Sequence, residues 1–176
     1  MSEQNKQVVR RYFEELDRAK ASPVNLCAPD NTFQAAGFPT MDLEPAEQFT
    51  EMFFSAFPDL THPVDELIAE GDKVAFRCRY EGTHTGADFM GVPASGRHFS
   101  AVGAGIVRVV DGKVAEFWVS PDRITIMQQI GALPVEDREP TPAAPPGRND
   151  SCFQPPPRSR GHVTLGAAHA PRLERG

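Results

Sequence analysis

The sequence predicts an α+β fold, with a few helices packed on one face of a curved antiparallel sheet. Three observations carry that expectation. Apolar residues recur at three- and four-residue steps in the first part of the chain, the pattern of a helix buried along one stripe. From about Thr61 to Val119 the period drops to two, and Gly/Asp turns separate the runs. Helices first and a block of strands later is the order of an α+β domain.

The elements follow in turn. Val8, Val9, Tyr12, Phe13 and Leu16 mark the buried stripe of a helix from Asn5 to about Ala19, with Arg10, Arg11, Glu14 and Asp17 between them. Ser22-Pro23 ends it, and a short helical piece at Val24 to Cys27 leads into an extended segment, Asn31 to Ala36. Pro45, behind Glu44, opens a second helix, because proline lacks only a donor that the first turn leaves unused. Phe49, Met52, Phe53, Ala56 and Phe57 form its buried stripe, and Pro58 stops it. Strands are predicted at Thr61 to Ala69, Lys73 to Gly82, Arg97 to Val110 and Lys113 to Val119. Val110-Asp111-Gly112-Lys113 is a hairpin signal, read as a three-residue loop that pairs Val109 with Lys113. Ser120-Pro121-Asp122 reads as a cap, a first-turn proline and a first-turn acid of a last helix through Ile124, Ile126, Met127 and Ile130. From Val135 onward proline, arginine, serine and glycine replace the apolar pattern. A folded domain at 1–134 and a disordered tail at 135–176 are expected.

Strand parity locates a cavity. Ala101, Gly103, Gly105 and Val107 share one face with Ala115, Phe117 and Val119. Val102, Ala104, Ile106 and Arg108 share the other with Val114, Glu116 and Trp118. Glycine inside a strand leaves room for something to approach. That something is either a ligand in a pocket roofed by Phe49, Phe53 and Phe57, or an aromatic ring from a helix; a pocket is the expectation.

Composition narrows the function. The chain of 176 residues carries a net charge of −6 and a pI near 5.4. That balance argues against nucleic acid, which calls for a basic stripe. Met1 to Lys6 carries no apolar run, so no secretory leader is expected, and no stretch nears the ~18–20 apolar residues that span a membrane. The cysteines, Cys27, Cys78 and Cys152, are odd in number and lack C-x-x-C spacing. Neither a disulfide framework nor a metal site is expected, and a reducing cytoplasm fits best.

One stretch carries a resemblance. Gly71-Asp72, Gly82-Thr83-His84-Thr85-Gly86, Gly91-Val92-Pro93-Ala94-Ser95-Gly96-Arg97, Asp111-Gly112-Lys113 and Glu116-Phe117-Trp118 follow one another between Glu70 and Asp122. In this order they resemble the sheet of the SnoaL-like polyketide cyclases, within the NTF2-like group of cone-shaped α+β folds, over roughly Asn5 to Leu133. The resemblance implies an enzyme without metal or organic cofactor, active on a hydrophobic polyketide or aromatic intermediate in antibiotic biosynthesis. Its reaction would be ring closure or isomerisation. Separately, the outer sheet face carries Val102, Ile106 and Trp118, which a homodimer would cover. In such cyclases a cavity Asp removes a proton next to a ketone, and a His sits on the preceding strand. Those positions fall here on Val119 and Gly105, and a further polar position falls near Gln34.

With both groups replaced, Asp122, Tyr80 and His84 become the catalytic candidates. Asp122 is the ionisable group nearest the vacated position, Tyr80 offers a phenol to a carbonyl, and His84 ends a strand. Tyr12, Phe33, Phe49, Phe53, Gly105, Phe117 and Val119 are the candidate substrate-binding residues. A hydroxylase-type offshoot of the family and a non-catalytic small-molecule binder are the alternatives. A third is a structural protein whose proline-rich tail recruits partners.

Overall fold

The computed structural model describes residues 2–135, and the expected disordered tail lies outside the described residues apart from Val135. Helix α1 spans Ser2–Ala19 and buries Val9, Tyr12, Phe13 and Leu16, the stripe read from sequence. A single 3-10 turn, Val24–Leu26, precedes strand β1, Cys27–Ala35. Helix α2, Leu43–Ala56, is followed by β2, Val64–Glu70, and β3, Lys73–Thr83. Strands β4, His98–Val110, and β5, Lys113–Pro121, form a long hairpin, and α3, Arg123–Gln129, closes the domain.

The sheet runs β1-β5-β4-β3-β2. Strands β2 to β5 are antiparallel as expected, but β1 pairs with β5 in parallel, so the sheet is mixed. The difference has a simple origin. Hairpin turns force neighbouring strands to alternate in direction, whereas β1 reaches β5 through most of the chain and no turn fixes its sense. Pro29 falls in this edge strand, where a missing donor does least harm.

The β4–β5 turn is tighter than the sequence reading. Asp111 and Gly112 both have positive φ, 49° and 75°, and Val110 pairs with Lys113. This is the two-residue turn whose twist matches that of the strands. The extra residue appears instead as a bulge: Val109 faces Val114 and Arg108 faces Glu116, with Ala115 between. Val114 therefore points inward, 0 % exposed, rather than outward as alternation predicted. Beyond the bulge the expected faces hold, with Val107 opposite Phe117 and Gly105 opposite Val119.

The last helix also begins later. Strand pairing continues through Pro121, which faces Gly103, and Asp122 itself is the cap, accepting from the Thr125 backbone N–H at 3.0 Å. In α2 the buried set is Ala46, Phe53, Phe54 and Ala56. Phe49 and Met52 are only half-buried, because the helix rolls toward Phe54.

Candidate functional site

The inner faces of α1, α2 and the sheet meet over an apolar cavity of about 50 Å³. Of the residues expected to line it, Tyr12, Phe33, Phe49, Phe53, Phe117 and Val119 do so, as does the catalytic candidate Tyr80. Phenylalanines fill most of the space the sequence assigned to a ligand. Phe33 stacks on Phe117 at 5.6 Å, Phe33 meets Phe49 at 5.6 Å, and Phe49 meets Phe53 at 5.3 Å. A cavity that accepts a benzene measures about 150 Å³, so a ring-sized guest enters only if side chains move. Phe33 and Phe49 are the half-buried phenylalanines of the lining.

The strand glycines serve packing rather than a ligand. A Cβ at Gly105 would stand 2.5 Å from the Phe76 ring, and the two residues face each other across β3 and β4. Gly103 lies equally close under the Tyr80 ring. Both rings come from the neighbouring strand, not from a helix. The glycines let Phe76 and Tyr80 lie down across β4; Tyr80 lines the cavity, whereas Phe76 and Gly105 do not.

Two of the proposed catalytic groups stand elsewhere. Asp122 lies on the outer side, beside Val102 and Ala104. Its carboxylate accepts from the Thr125 N–H and from the Thr125 hydroxyl at 2.7 Å. Those bonds hold its pKa below the usual carboxylate range. His84 is fully buried against Phe57, with ring centroids 5.1 Å apart. Its Nε2 donates to the Ala87 carbonyl at 3.2 Å, and its Nδ1 faces the Ser95 hydroxyl at 3.5 Å. Both ring nitrogens are committed to the loop that joins β3 to β4.

The polar groups that do reach the cavity are of another kind. Tyr12 and Tyr80 are 7 % and 8 % exposed. Neither hydroxyl has a hydrogen-bond partner among the described residues, and neither is sealed from the cavity space. Burial pushes both phenols well above their ordinary pKa, and for Tyr80 nearby Cys78, Tyr12 and Asp17 add to the effect. Both stay neutral donors at any ordinary pH.

His62 is the third, and sequence reading does not single it out. It is 6 % exposed and lines the cavity. Its Nδ1 lies 2.6 Å from Asp17 Oδ1, while its backbone N–H donates to Asp17 Oδ2 at 2.7 Å. Its ring stands edge-on to Tyr80, centroids 4.5 Å apart. Nε2 has no protein partner among the described residues, and it too retains surface. Asp17 sits where the buried stripe of α1 meets its charged side, and His62 precedes β2 by two residues. No local motif joins them; the only hint is a polar pair bordering two apolar runs.

Comparison with known proteins accords with this architecture. The profile of the SnoaL-like polyketide cyclases matches residues 6–130. AclR from Streptomyces galilaeus, a suggested hydroxylase, is 26% identical with a TM-score of 0.71, over 78% of this chain and 87% of its own. IdmH from Streptomyces antibioticus, a suggested polyketide cyclase, is 30% identical with a TM-score of 0.64, over 73% and 99%. An NTF2-like protein from Burkholderia thailandensis is 25% identical with a TM-score of 0.59, over 72% and 96%. No curated protein matches. With helices and sheet closed over one apolar cavity and the profile spanning nearly all described residues, the chain belongs to the SnoaL-like polyketide cyclase family.

Proposed function

We propose that this protein is a cofactor-independent enzyme of secondary metabolism that rearranges a hydrophobic, carbonyl-bearing polyketide or aromatic intermediate by ring closure or isomerisation. One observation carries the reading: the two unpartnered phenols, Tyr12 and Tyr80, set in an otherwise apolar cavity. Neither hydroxyl is spent on a protein acceptor among the described residues, so both can donate to a guest. Neutral phenols donate to a carbonyl oxygen as it gains enolate charge, the point at which a fixed donor accelerates the reaction most. Opening of the Phe33–Phe49 edge admits the substrate, and closure then expels water.

Incubation with an anthraquinone-type or tetracyclic polyketide precursor, followed by mass spectrometry and chromatography, tests the proposal. Conversion that falls in both Tyr80→Phe and Tyr12→Phe is expected. Tight binding with no conversion would replace it with a non-catalytic carrier.

A hydroxylase-type reaction is the second reading. It is favoured by Val119 and Gly105 at the positions where the family's cyclases carry Asp and His, and by the likeness to AclR. A product heavier by one oxygen atom identifies it.

We place the protein in a reducing cytoplasm as a homodimer. Cys27 and Cys78 are free thiols, and no described helix is long and apolar enough to cross a membrane. On the outer sheet face Val102, Ile106 and Trp118 stand exposed, flanked by Arg77–Glu66 and Arg108–Glu116 pairs. A patch with both charge signs around an apolar centre complements a two-fold copy of itself. Sedimentation as a monomer at micromolar concentration would remove the dimer.

A further inference from the structure

We propose that His62, held by Asp17, is the proton acceptor of the cavity, standing in for the Asp and His that Val119 and Gly105 replace. The inference rests on the enzymatic reading above and names its missing base.

Geometry carries it. A general base needs a lone pair within reach of the substrate and a partner that fixes its tautomer. The two Asp17 oxygens divide the work. Oδ2 accepts the His62 backbone N–H at 2.7 Å, which fixes the carboxylate, and Oδ1 meets Nδ1 at 2.6 Å. A carboxylate accepts, so Nδ1 carries a proton, and in the neutral imidazole the lone pair is on Nε2. That nitrogen has no protein partner among the described residues, and its ring lines the cavity beside Tyr80. His62 also borders a groove lined by Arg10, Glu14 and Asp17 on α1. His62 thus stands in the wall between substrate space and solvent.

The step balances without a co-reactant. Nε2 takes a proton from the carbon next to a ketone, and the C–H electron pair moves to form an enolate. The oxygen charge is met by the Tyr80 or Tyr12 hydroxyl, and the imidazolium is matched by Asp17. The proton then returns, to another carbon in an isomerisation or to the new alkoxide oxygen in an aldol closure. The substrate class is accordingly an aromatic or polycyclic ketone with an acidic neighbouring C–H, small or flat enough to pass Phe33 and Phe49.

The test uses the full chain and two readouts. The first is the His62 tautomer, read from the imidazole ¹⁵N shifts. In the neutral imidazole, wild type is expected to show the proton on Nδ1 and Nε2 bare. In Asp17→Asn the backbone N–H still requires an acceptor, so the amide NH2 faces Nδ1 and the ring proton moves to Nε2. A protonated Nε2 in neutral wild-type imidazole, or an unmoved proton in Asp17→Asn, would overturn the assignment. The second readout is loss of deuterium from the α-carbon of labelled 2-tetralone, which registers proton abstraction apart from ring closure. Exchange is expected in wild type and reduced at least 100-fold in both His62→Gln and Asp17→Asn, with Tyr80→Phe less affected. Exchange retained in His62→Gln would sink the His62 role and leave the enzymatic reading standing. Absence of exchange in wild type, with 2-tetralone bound, would sink both.

Discussion

Two buried histidines, His62 against Phe54 and His84 against Phe57, show two ways a fold treats a polar ring. At the β3–β4 loop, His84 spends both nitrogens on its own neighbourhood, Ala87 and Ser95, and packs on Phe57. At the junction of α1 and β2, His62, which lines the cavity, gives one nitrogen to Asp17 and leaves the other without a protein partner among the described residues. The first arrangement is complete and holds the loop in shape. The second is incomplete and asks for a guest. Burial alone does not separate the two; the state of the second nitrogen does.

Substitutions sharpen that contrast, and their stability effects should fall in a definite order. His84→Ala removes a satisfied ring from a packed corner and strands the Ala87 carbonyl. A loss of about 3 kcal/mol is expected in denaturant unfolding, with turnover per folded molecule unchanged. An equal loss of turnover would mean that the closed corner also serves the site. Gly105→Ala comes next, since its Cβ collides with Phe76 and with the Trp118 carbonyl. Overpacking of this kind costs about 1–3 kcal/mol.

Asp122→Ala is smaller. Loss of an N-cap costs about 1 kcal/mol, and the effect should depend on pH in a fixed sense. The Thr125 bonds depress the folded-state pKa of Asp122. Its stabilisation is therefore present above the ordinary carboxylate range and lost as pH falls through the depressed value. Wild type and Asp122→Ala should converge in thermal melts taken in acid. Tyr80→Phe has the smallest structural effect, within about 0.5 kcal/mol, because no hydrogen bond is lost. A clear destabilisation there would show that the Tyr80 hydroxyl has a structural partner, and the open region would be closed after all.

Most of the fold was legible, because period and punctuation are local properties. The stripe of α1, the alternation of β3 and β4 and the turn at Asp111-Gly112 each lie within a few neighbouring residues. Properties set by distant partners were not. Nothing near β1 states its direction, and nothing near Gly105 says whether the space above it belongs to a ligand or to Phe76. The candidate site shows the same division. Tyr12, Tyr80 and the phenylalanines follow from parity and helical spacing. His62 does not, since its partner Asp17 lies 45 positions away on another element. Asp122 drew attention through sequence proximity to Val119, yet the chain turns outward at Pro121 and carries it to the other side.

The parallel seating of β1 bears on how the chain comes into being. Asn31 of β1 donates to the Val114 carbonyl, a residue 83 positions later, so the first strand synthesised has no sheet partner until almost the whole domain has left the ribosome. Joining ends so far apart carries a large entropic cost before any contact repays it. The β4–β5 hairpin is expected to form first and act as the template. In pulsed hydrogen exchange the β1 amides should then gain protection after those of β4 and β5, and nascent chains that stall before Lys113 should be the ones that chaperones hold.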